Sequence, residues 1–237
     1  MEHENWQSRT EILLGKEAVA TLHEASVTVI GLGGVGGIAA EMIARAGVGK
    51  MILIDADCFD STNRNRQIGA LVSTTGKSKV SAMTERLKDI NPDIEITGYE
   101  MFITPEMFDA EADKIPDFLK TGCVLDAIDS VGSKTALLAS CVRNSVPVVS
   151  SMGSGARLDP EKVRCADISK TEYCRLAKAV RQQLKKRGIE KGVCCIFSPE
   201  TPVCSNSDAI GTISYMPNVF GCHCAAAVLK KLLKRDS

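Results

Sequence analysis

The stretch Val27-Thr-Val-Ile-Gly31-Leu-Gly33-Gly34-Val-Gly36-Gly decides how the rest of the chain is read. A run of β-branched residues, which favours strand, enters a glycine cluster. The cluster opens onto Ile38-Ala-Ala-Glu-Met-Ile-Ala-Arg-Ala, a helix-favouring run. Strand, tight turn and helix are predicted in that order. Glycine permits the sharp turn and leaves no side chain between a phosphate and the first turn of the helix. Unpaired amides and the positive end of the helix dipole attract an anion there. Met51-Ile-Leu-Ile follows as a second strand, with Asp55 at its end, where a carboxylate can hold a ribose hydroxyl. G-x-G-x-x-G alone is a weak signal. Here strand, helix and acid stand in the right order, so Gly31, Gly33, Gly34 and Gly36 are assigned to a nucleotide site.

The next loop, Asp55-Ala-Asp57-Cys-Phe-Asp-Ser-Thr-Asn63-Arg64-Asn65-Arg66-Gln67, is rich in groups that bind phosphate, ribose or metal and poor in core residues. A hydride-transfer enzyme built on the same glycine turn has no need of it; a polar surface loop is the plain alternative. Lys79 falls in the first turn of a helix through Met83, Leu87 and Ile90. The dipole disfavours a cation there unless an anion lies nearby. Residues 94–99 read as a third strand, and Thr104-Pro105 as the start of another helix. A fourth strand, Val124-Leu-Asp126-Ala-Ile-Asp129, delivers carboxylates to its C-terminal end, the edge at which open parallel sheets bind ligands. Asp129 then has two readings. It is a magnesium ligand, since that ion takes one or two carboxylates beside substrate phosphates, or it caps a helix over residues 131–144. Val146-Pro-Val-Val-Ser150 is a fifth strand, ending in Ser151-Met-Gly-Ser-Gly155. This alternation predicts an α/β fold, a doubly wound Rossmann-like and mostly parallel sheet. Ahead of it, residues 10–22 read as one amphipathic helix with Ile12, Leu13, Val19 and Leu22 near one face. Arg9, just before that helix, reads on its own as a solvated terminal charge.

The remainder forms a C-terminal α+β extension. Residues 162–166 read as a strand and residues 171–187 as a helix of two faces. Tyr173, Leu176, Val180 and Leu184 make its apolar stripe; Arg175, Lys178, Arg181, Lys185 and Lys186 lie on the other side, with no acid between Arg175 and Arg187. Lysine plus arginine equal aspartate plus glutamate, 29 of each, so net charge alone points to no nucleic acid. The local excess on this helix suits a phosphate backbone; a solvated face is the plain alternative. Ten cysteines scattered through an α/β pattern are expected as thiols. Cys194-Cys195, Cys204 and Cys222-His223-Cys224 contain no Cys-x-x-Cys pair, so zinc is not expected. No catalytic partner can be named for Cys194, Cys195 or Cys204. Residues 1–10 are polar and the apolar run over residues 219–229 is too short to span a bilayer, so a cytoplasmic protein without membrane insertion is expected.

Taken in order, G-x-G-x-x-G, Asp55-x-Asp57, Asn63-x-x-Arg66-Gln67, Lys79 and Asp126-Ala-Ile-Asp129 resemble the adenylating core shared by ThiF, MoeB and ubiquitin-activating enzymes. The resemblance implies that Asp55 holds the ribose of ATP and that Asn63, Arg66 and Lys79 hold its phosphates, with Asp57 and Gln67 in the same site. It implies Asp129 as the ligand of Mg2+. Arg9, in Arg9-Thr-Glu-Ile-Leu-Leu-Gly, matches an arginine that reaches the other protomer's ATP, which implies a homodimer. On this reading residues 1–155 are the ATP-binding adenylating core, and residues 156–237 an extension continuous with it.

Two features point to one branch. The paired Cys-x-x-Cys motifs of ThiF and MoeB are lacking. Asn63-Arg-Asn-Arg-Gln-Ile, Leu125-Asp-Ala-Ile-Asp-Ser, Ser151-Met-Gly-Ser-Gly-Ala-Arg-Leu-Asp-Pro160 and Asp167-Ile-Ser-Lys-Thr171 are similar to the tRNA threonylcarbamoyladenosine dehydratases. Residues 192–211 look shorter than in that branch. The implied reaction is adenylation of the threonine carboxylate carried by a tRNA adenosine. Ring closure by a neighbouring nitrogen or oxygen then expels AMP, with no enzyme nucleophile required. The alternative substrate is the C-terminus of a small ubiquitin-like sulfur-carrier protein, and a sulfur-relay protein is a further partner in view. A nicotinamide-dependent dehydrogenase leaves the Asn63–Lys79 cluster unexplained. A scaffold without catalysis is disfavoured by the joint retention of Arg9, Asn63, Arg66, Lys79 and Asp129.

Overall fold

The computed structural model describes residues 6–108, 116–203 and 210–235. It opens with α1 (Ser8–Leu14) and α2 (Lys16–Glu24). The single helix expected over residues 10–22 is therefore two. Gly15, at φ 87°, takes a left-handed conformation that interrupts it. Val19 and Leu22 are buried whereas Ile12 and Leu13 are 80% exposed, so the four do not share a face.

The quoted stretch forms β1 (Ser26–Ile30), the glycine turn and α3 (Gly36–Arg45). There follow β2 (Lys50–Ile54), α4 (Lys79–Ile90), β3 (Glu95–Tyr99), β4 (Cys123–Asp126), α5 (Val131–Arg143) and β5 (Val148–Ser151). The chain continues through β6 (Arg164–Asp167), α6 (Arg175–Lys186), β7 (Cys194–Phe197) and α7 (Tyr215–Leu232). The sheet order is β3-β2-β1-β4-β5-β7-β6, parallel except where β6 meets β7. The strand order reverses between β1 and β4. Ile30 is level with both Ile54 and Asp126, so the ends of β1, β2 and β4 open together at that switch point.

Both faces are covered, as a parallel sheet requires. Val27 and Val29 point to the face packed by Ile43, Phe220, Cys224 and Val228, whereas Ile30 points to the face packed by Leu137, Val180 and Leu184. Helix α7 lies close along α3 because residue 221 is glycine: a Cβ there would collide with Ile38. Residues after 155 thus supply β6, β7 and α7 to the same sheet and core.

Three departures from expectation bear on the site or its surroundings. Strand β4 stops at Asp126, which leaves Asp129 on a loop. The helix expected after Thr104-Pro105 is a short 3-10 turn, Pro105–Phe108, and residues 109–115 lie outside the described residues. Helix α6 starts at Arg175 rather than near 171. Tyr173 precedes it at φ 52° and is 68% exposed, so the stripe consists of Leu176, Ala177, Val180 and Leu184. Among the described residues no helix is long and apolar enough to cross a membrane.

Candidate active site

A cavity of about 970 Å³ opens over the C-terminal ends of β1, β2, β4 and β5. Its floor is the glycine turn. Gly31 has φ 89°, and a Cβ on it would meet the carbonyl oxygen of Ala127 at 2.8 Å. Gly36 packs against the Gly31 carbonyl, where no side chain fits. At Gly33 a Cβ would meet only Gln67 Nε2, at 3.8 Å, so the turn is open on its cavity side. Gly34 lies between Arg66 and Pro217. No acidic side chain stands in the first turn of α3, so nothing in that turn offsets the positive end of its dipole.

Asp55 ties β2 to the turn. Its carboxylate accepts from Leu32 N at 2.6 Å and from Asp57 N at 2.8 Å. Lys79 Nζ lies 2.7 Å from Asp57 Oδ2 and 3.7 Å from Asp55 Oδ1, with the lysine side chain 7% exposed. The loop places it there by folding back on itself: Cys58 bridges Ser78, and Lys79 N donates to Asp57 O at 3.0 Å. Ser78 then caps α4 by accepting from Ser81 N. The cation at the helix start is offset by two carboxylates, and an anion in the cavity would compete with them for it.

The rest of the loop is a short 3-10 turn, Ser61–Asn63, closed by Asp60 and Asn63 reciprocally. Arg66 donates through Nη1 to Thr62 O at 3.1 Å and to Asn65 Oδ1 at 2.9 Å. Gln67 is buried, and among the described residues its Oε1 has no hydrogen-bond partner. A buried acceptor beside an open glycine turn is one that a water or a ligand donor can complete.

Asp129 lines the same cavity and is exposed. Its loop is pinned from below by a group at 0% exposure: Lys134 Nζ stands 2.7 Å from Asp126 Oδ2 and donates to Ile128 O at 2.8 Å. Asp126 also accepts from Ser150 Oγ at 2.6 Å and Ile128 N at 3.0 Å. Asp126 is therefore spent inside the protein. The N-cap of α5 is Ser130, so the cap reading of Asp129 does not hold. Sequence reasoning missed Lys134 and Ser150; the available signal was a lysine one turn into a helix with no other charge before Arg143.

Gly31, Gly33, Gly34, Gly36, Asp55, Asp57, Asn63, Arg66, Gln67, Lys79 and Asp129 thus line one cavity. So do Phe102 and Ser133, which no motif had marked, and Gly153 of the Ser151–Pro160 stretch. Arg9 is elsewhere, exposed on α1 and not among the lining residues of its own chain's cavity. On α6, Arg175, Lys178, Lys185 and Lys186 are exposed, with Lys185 3.6 Å from Glu190. Arg181 is separated from them. Its Nη1 donates to Thr171 Oγ1 at 2.6 Å, Thr171 O at 2.8 Å and Ile168 O at 3.4 Å, bracing the helix on the preceding segment. Leu176 at the start of α6 borders the cavity. Cys194 and Cys195 lie in β7 rather than in the cavity lining, and Cys204 falls outside the described residues.

The family model for the ThiF family matches residues 7–237. The chain is 44% identical to a tRNA threonylcarbamoyladenosine dehydratase of Bacillus subtilis (strain 168) over 201 residues, 85% of this chain and 77% of that one. It is 40% identical to the protein of the same name from Escherichia coli (strain K12) over 223 residues, 89% and 80% of the two chains. The crystal structure of the E. coli protein, TcdA, in complex with ATP is similar at a TM-score of 0.87 and 35% identity, covering 96% of this chain and 93% of that one.

Proposed function

The chain belongs to the ThiF family, and from that premise we propose that it is an ATP-dependent tRNA threonylcarbamoyladenosine dehydratase. The observation that carries this reading is the convergence of the glycine turn, the Asp55–Lys79–Asp57 group, the Asn63–Gln67 loop and Asp129 on one cavity.

The cavity fits ATP on its own terms. The open side of Gly33 leaves room for phosphate oxygens beside the α3 amides, and the Gln67 acceptor awaits a donor. Asp55 holds the ribose. Asn63, Arg66 and Lys79 hold the phosphates, Lys79 by exchanging part of its contact with Asp57. Magnesium fits as well. Among the described residues no three His, Cys, Asp or Glu side chains gather as a metal site. Asp129 would hold such an ion, one carboxylate beside substrate phosphates being the kind of ligand set Mg2+ favours. When bound, it neutralises phosphate charge as pyrophosphate departs.

The residues then divide the work. The modified adenosine's threonine carboxylate attacks the α-phosphorus, and Arg66 and Lys79 stabilise the charge that builds on the separating phosphates. A nitrogen or oxygen of the same modification next closes a ring on the activated carbonyl and expels AMP. Because that nucleophile is already attached, its effective concentration is high and the enzyme needs no thiol for the step. The oxygen of the lost water leaves in AMP.

Arg9 completes the site from the other protomer of a homodimer. Residues 1–155 form the ATP-binding adenylating core, and residues 156–237 an extension continuous with it. Arg175, Lys178, Lys185 and Lys186 on α6 receive the tRNA backbone beside the cavity, while Arg181 holds that helix in place. An enzyme acting on tRNA in this way works in the cytoplasm.

The test is incubation with ATP, Mg2+ and tRNA carrying the threonylcarbamoyl modification. The expected result is a nucleoside lighter by one water, with one AMP formed per nucleoside. An unchanged nucleoside in that mixture, with adenylate forming on the C-terminus of a sulfur-carrier protein supplied in place of the tRNA, would overturn the assignment of substrate.

A further inference from the structure

At the sheet edge away from the cavity, β6 pairs antiparallel with β7. Cys165 stands opposite Ile196 and Cys194 opposite Asp167, so the two thiols lie diagonally across the pair on one face. Their sulfurs are 3.3 Å apart, close enough for one thiol to donate to the other. Cys165 is exposed and Cys194 half-buried. The hydrogen bond from Cys194 pulls the Cys165 thiol down to about 6; partial burial opposes this, and the charges of Lys230 and Lys231 on α7 assist it. Asp167 on the same face is already committed, accepting from Ser169 N and Oγ and from Gly192 N. The buried thiols Cys123, Cys141, Cys195 and Cys224 are instead pushed up by burial.

We propose that Cys165 and Cys194 form a redox modification site, in which hydrogen peroxide oxidises Cys165 and Cys194 resolves the product to an intramolecular disulfide. The Cys165 thiolate attacks one peroxide oxygen, the O–O bond breaks, and the departing hydroxide takes a proton to become water. Cys165 is then a sulfenic acid. Cys194 sulfur attacks the Cys165 sulfur; the S–S bond forms, the S–O bond breaks, and a second water leaves carrying the thiol proton. Two thiols lose two electrons and two protons in all, and the peroxide becomes two waters. The sulfurs must close by about 1.2 Å to bonding distance. Strand β6 can supply that movement, because it is paired on one side only. A diagonal bond on an exposed edge strand belongs with the readily reduced disulfides, so a dithiol returns the pair to its starting state.

The test uses the full chain, reduced, treated with peroxide, alkylated and mapped by peptide mass. The expected product is lighter by two hydrogens, carries a cross-link between the peptides holding Cys165 and Cys194, and is restored by dithiothreitol. Before oxidation at pH 7, Cys165 should alkylate about threefold faster than free cysteine, its larger thiolate fraction being largely offset by lower nucleophilicity. In Cys194→Ser the Cys165 sulfenic acid should persist and be trapped by dimedone. In Cys165→Ser no disulfide should form at Cys194. A cross-link between other cysteines, or loss of two hydrogens from Cys165→Ser at the wild-type rate, would overturn the proposal. If a variant fails to fold, the wild-type peptide map alone decides between these outcomes.

Discussion

Lys79 stands where the α4 dipole opposes it, nearly buried between two carboxylates. Such a placement is costly for structure alone and reasonable for a phosphate ligand. Lys79→Ala should therefore lower the rate of AMP formation by about 10²–10³-fold, the range for removing one donor to developing charge. Its melting temperature should change little, because Asp57 can turn to water and Asp55 keeps its two backbone donors, Leu32 N and Asp57 N. Steady-state assay beside thermal unfolding checks this, and a loss of activity below twofold would contradict it. Glu41 offers a contrasting case, a structural carboxylate on α3 itself. Burial alone would raise its carboxyl, but hydrogen bonds from Arg86 and Arg45 outweigh that and hold it below the ordinary value of 4.5. A carboxyl depressed in the folded state contributes stability that is present above its unfolded value and lost as pH falls through the folded one. Glu41→Gln should cost about 1.5–3 kcal/mol at pH 7, the range for hydrogen bonds to a charged group. The gap between wild type and variant in urea unfolding should shrink below about pH 4.5; a gap that stays constant with pH would contradict the ion-pair account.

Helix α6 shows how an element divides its charges. Arg181 spends its guanidinium on Thr171 and Ile168, whereas Lys178, Lys185 and Lys186 face solvent. Replacing those three lysines by glutamine should weaken tRNA binding and flatten its salt dependence by up to about two to three units of slope. Arg181→Gln should instead lower the melting temperature while leaving that slope unchanged. Filter binding across a salt series separates the two effects; an unchanged affinity in the triple variant would make α6 an ordinary solvated face. A residue count could not make this division, because the same i, i+3, i+4 spacing puts Arg181 and Lys185 on one helical side. What distinguishes them is the segment around Thr171, reached only through the fold. The break at Gly15 was hidden for a related reason: one glycine between two helical runs is read as tolerated until its φ is known. The glycine turn and Asp55 were legible because local sequence order dictates them, whereas Lys79 was marked by its place at a helix start and joined to the site by the family resemblance. Lys134, Ser150 and Asp126 were not, since their pairing joins α5, β5 and β4 across the sheet.

At the scale of the molecule, strand and helix alternation made the doubly wound sheet legible as far as β5. The contribution of β6, β7 and α7 was harder to read, because β7 joins beside β5 after a long excursion and the Gly221 contact with α3 has no local signature. The cavity contains every assigned ATP-binding residue except Arg9, which sits on α1 with the exposed Ile12 and Leu13. If Arg9 acts across a two-fold interface, mixing has a definite outcome. Arg9→Ala and Lys79→Ala protomers, each inactive alone, build one complete site in each mixed dimer. Random reassortment should restore about one quarter of wild-type activity, since half the dimers are mixed and each has one intact site of two. No recovery on mixing would place Arg9 outside the partner's site.

The central claim is that the cations and carboxylates following β1 and β2 converge on a triphosphate. A crystal structure of this chain with ATP and Mg2+ tests it most directly. The predicted result has phosphate oxygens within hydrogen-bond reach of Lys79 Nζ, the Arg66 guanidinium and the amides at the start of α3, with the ribose on Asp55 and the metal on Asp129. A nucleotide bound with its phosphates directed away from Lys79 and Arg66 would contradict it.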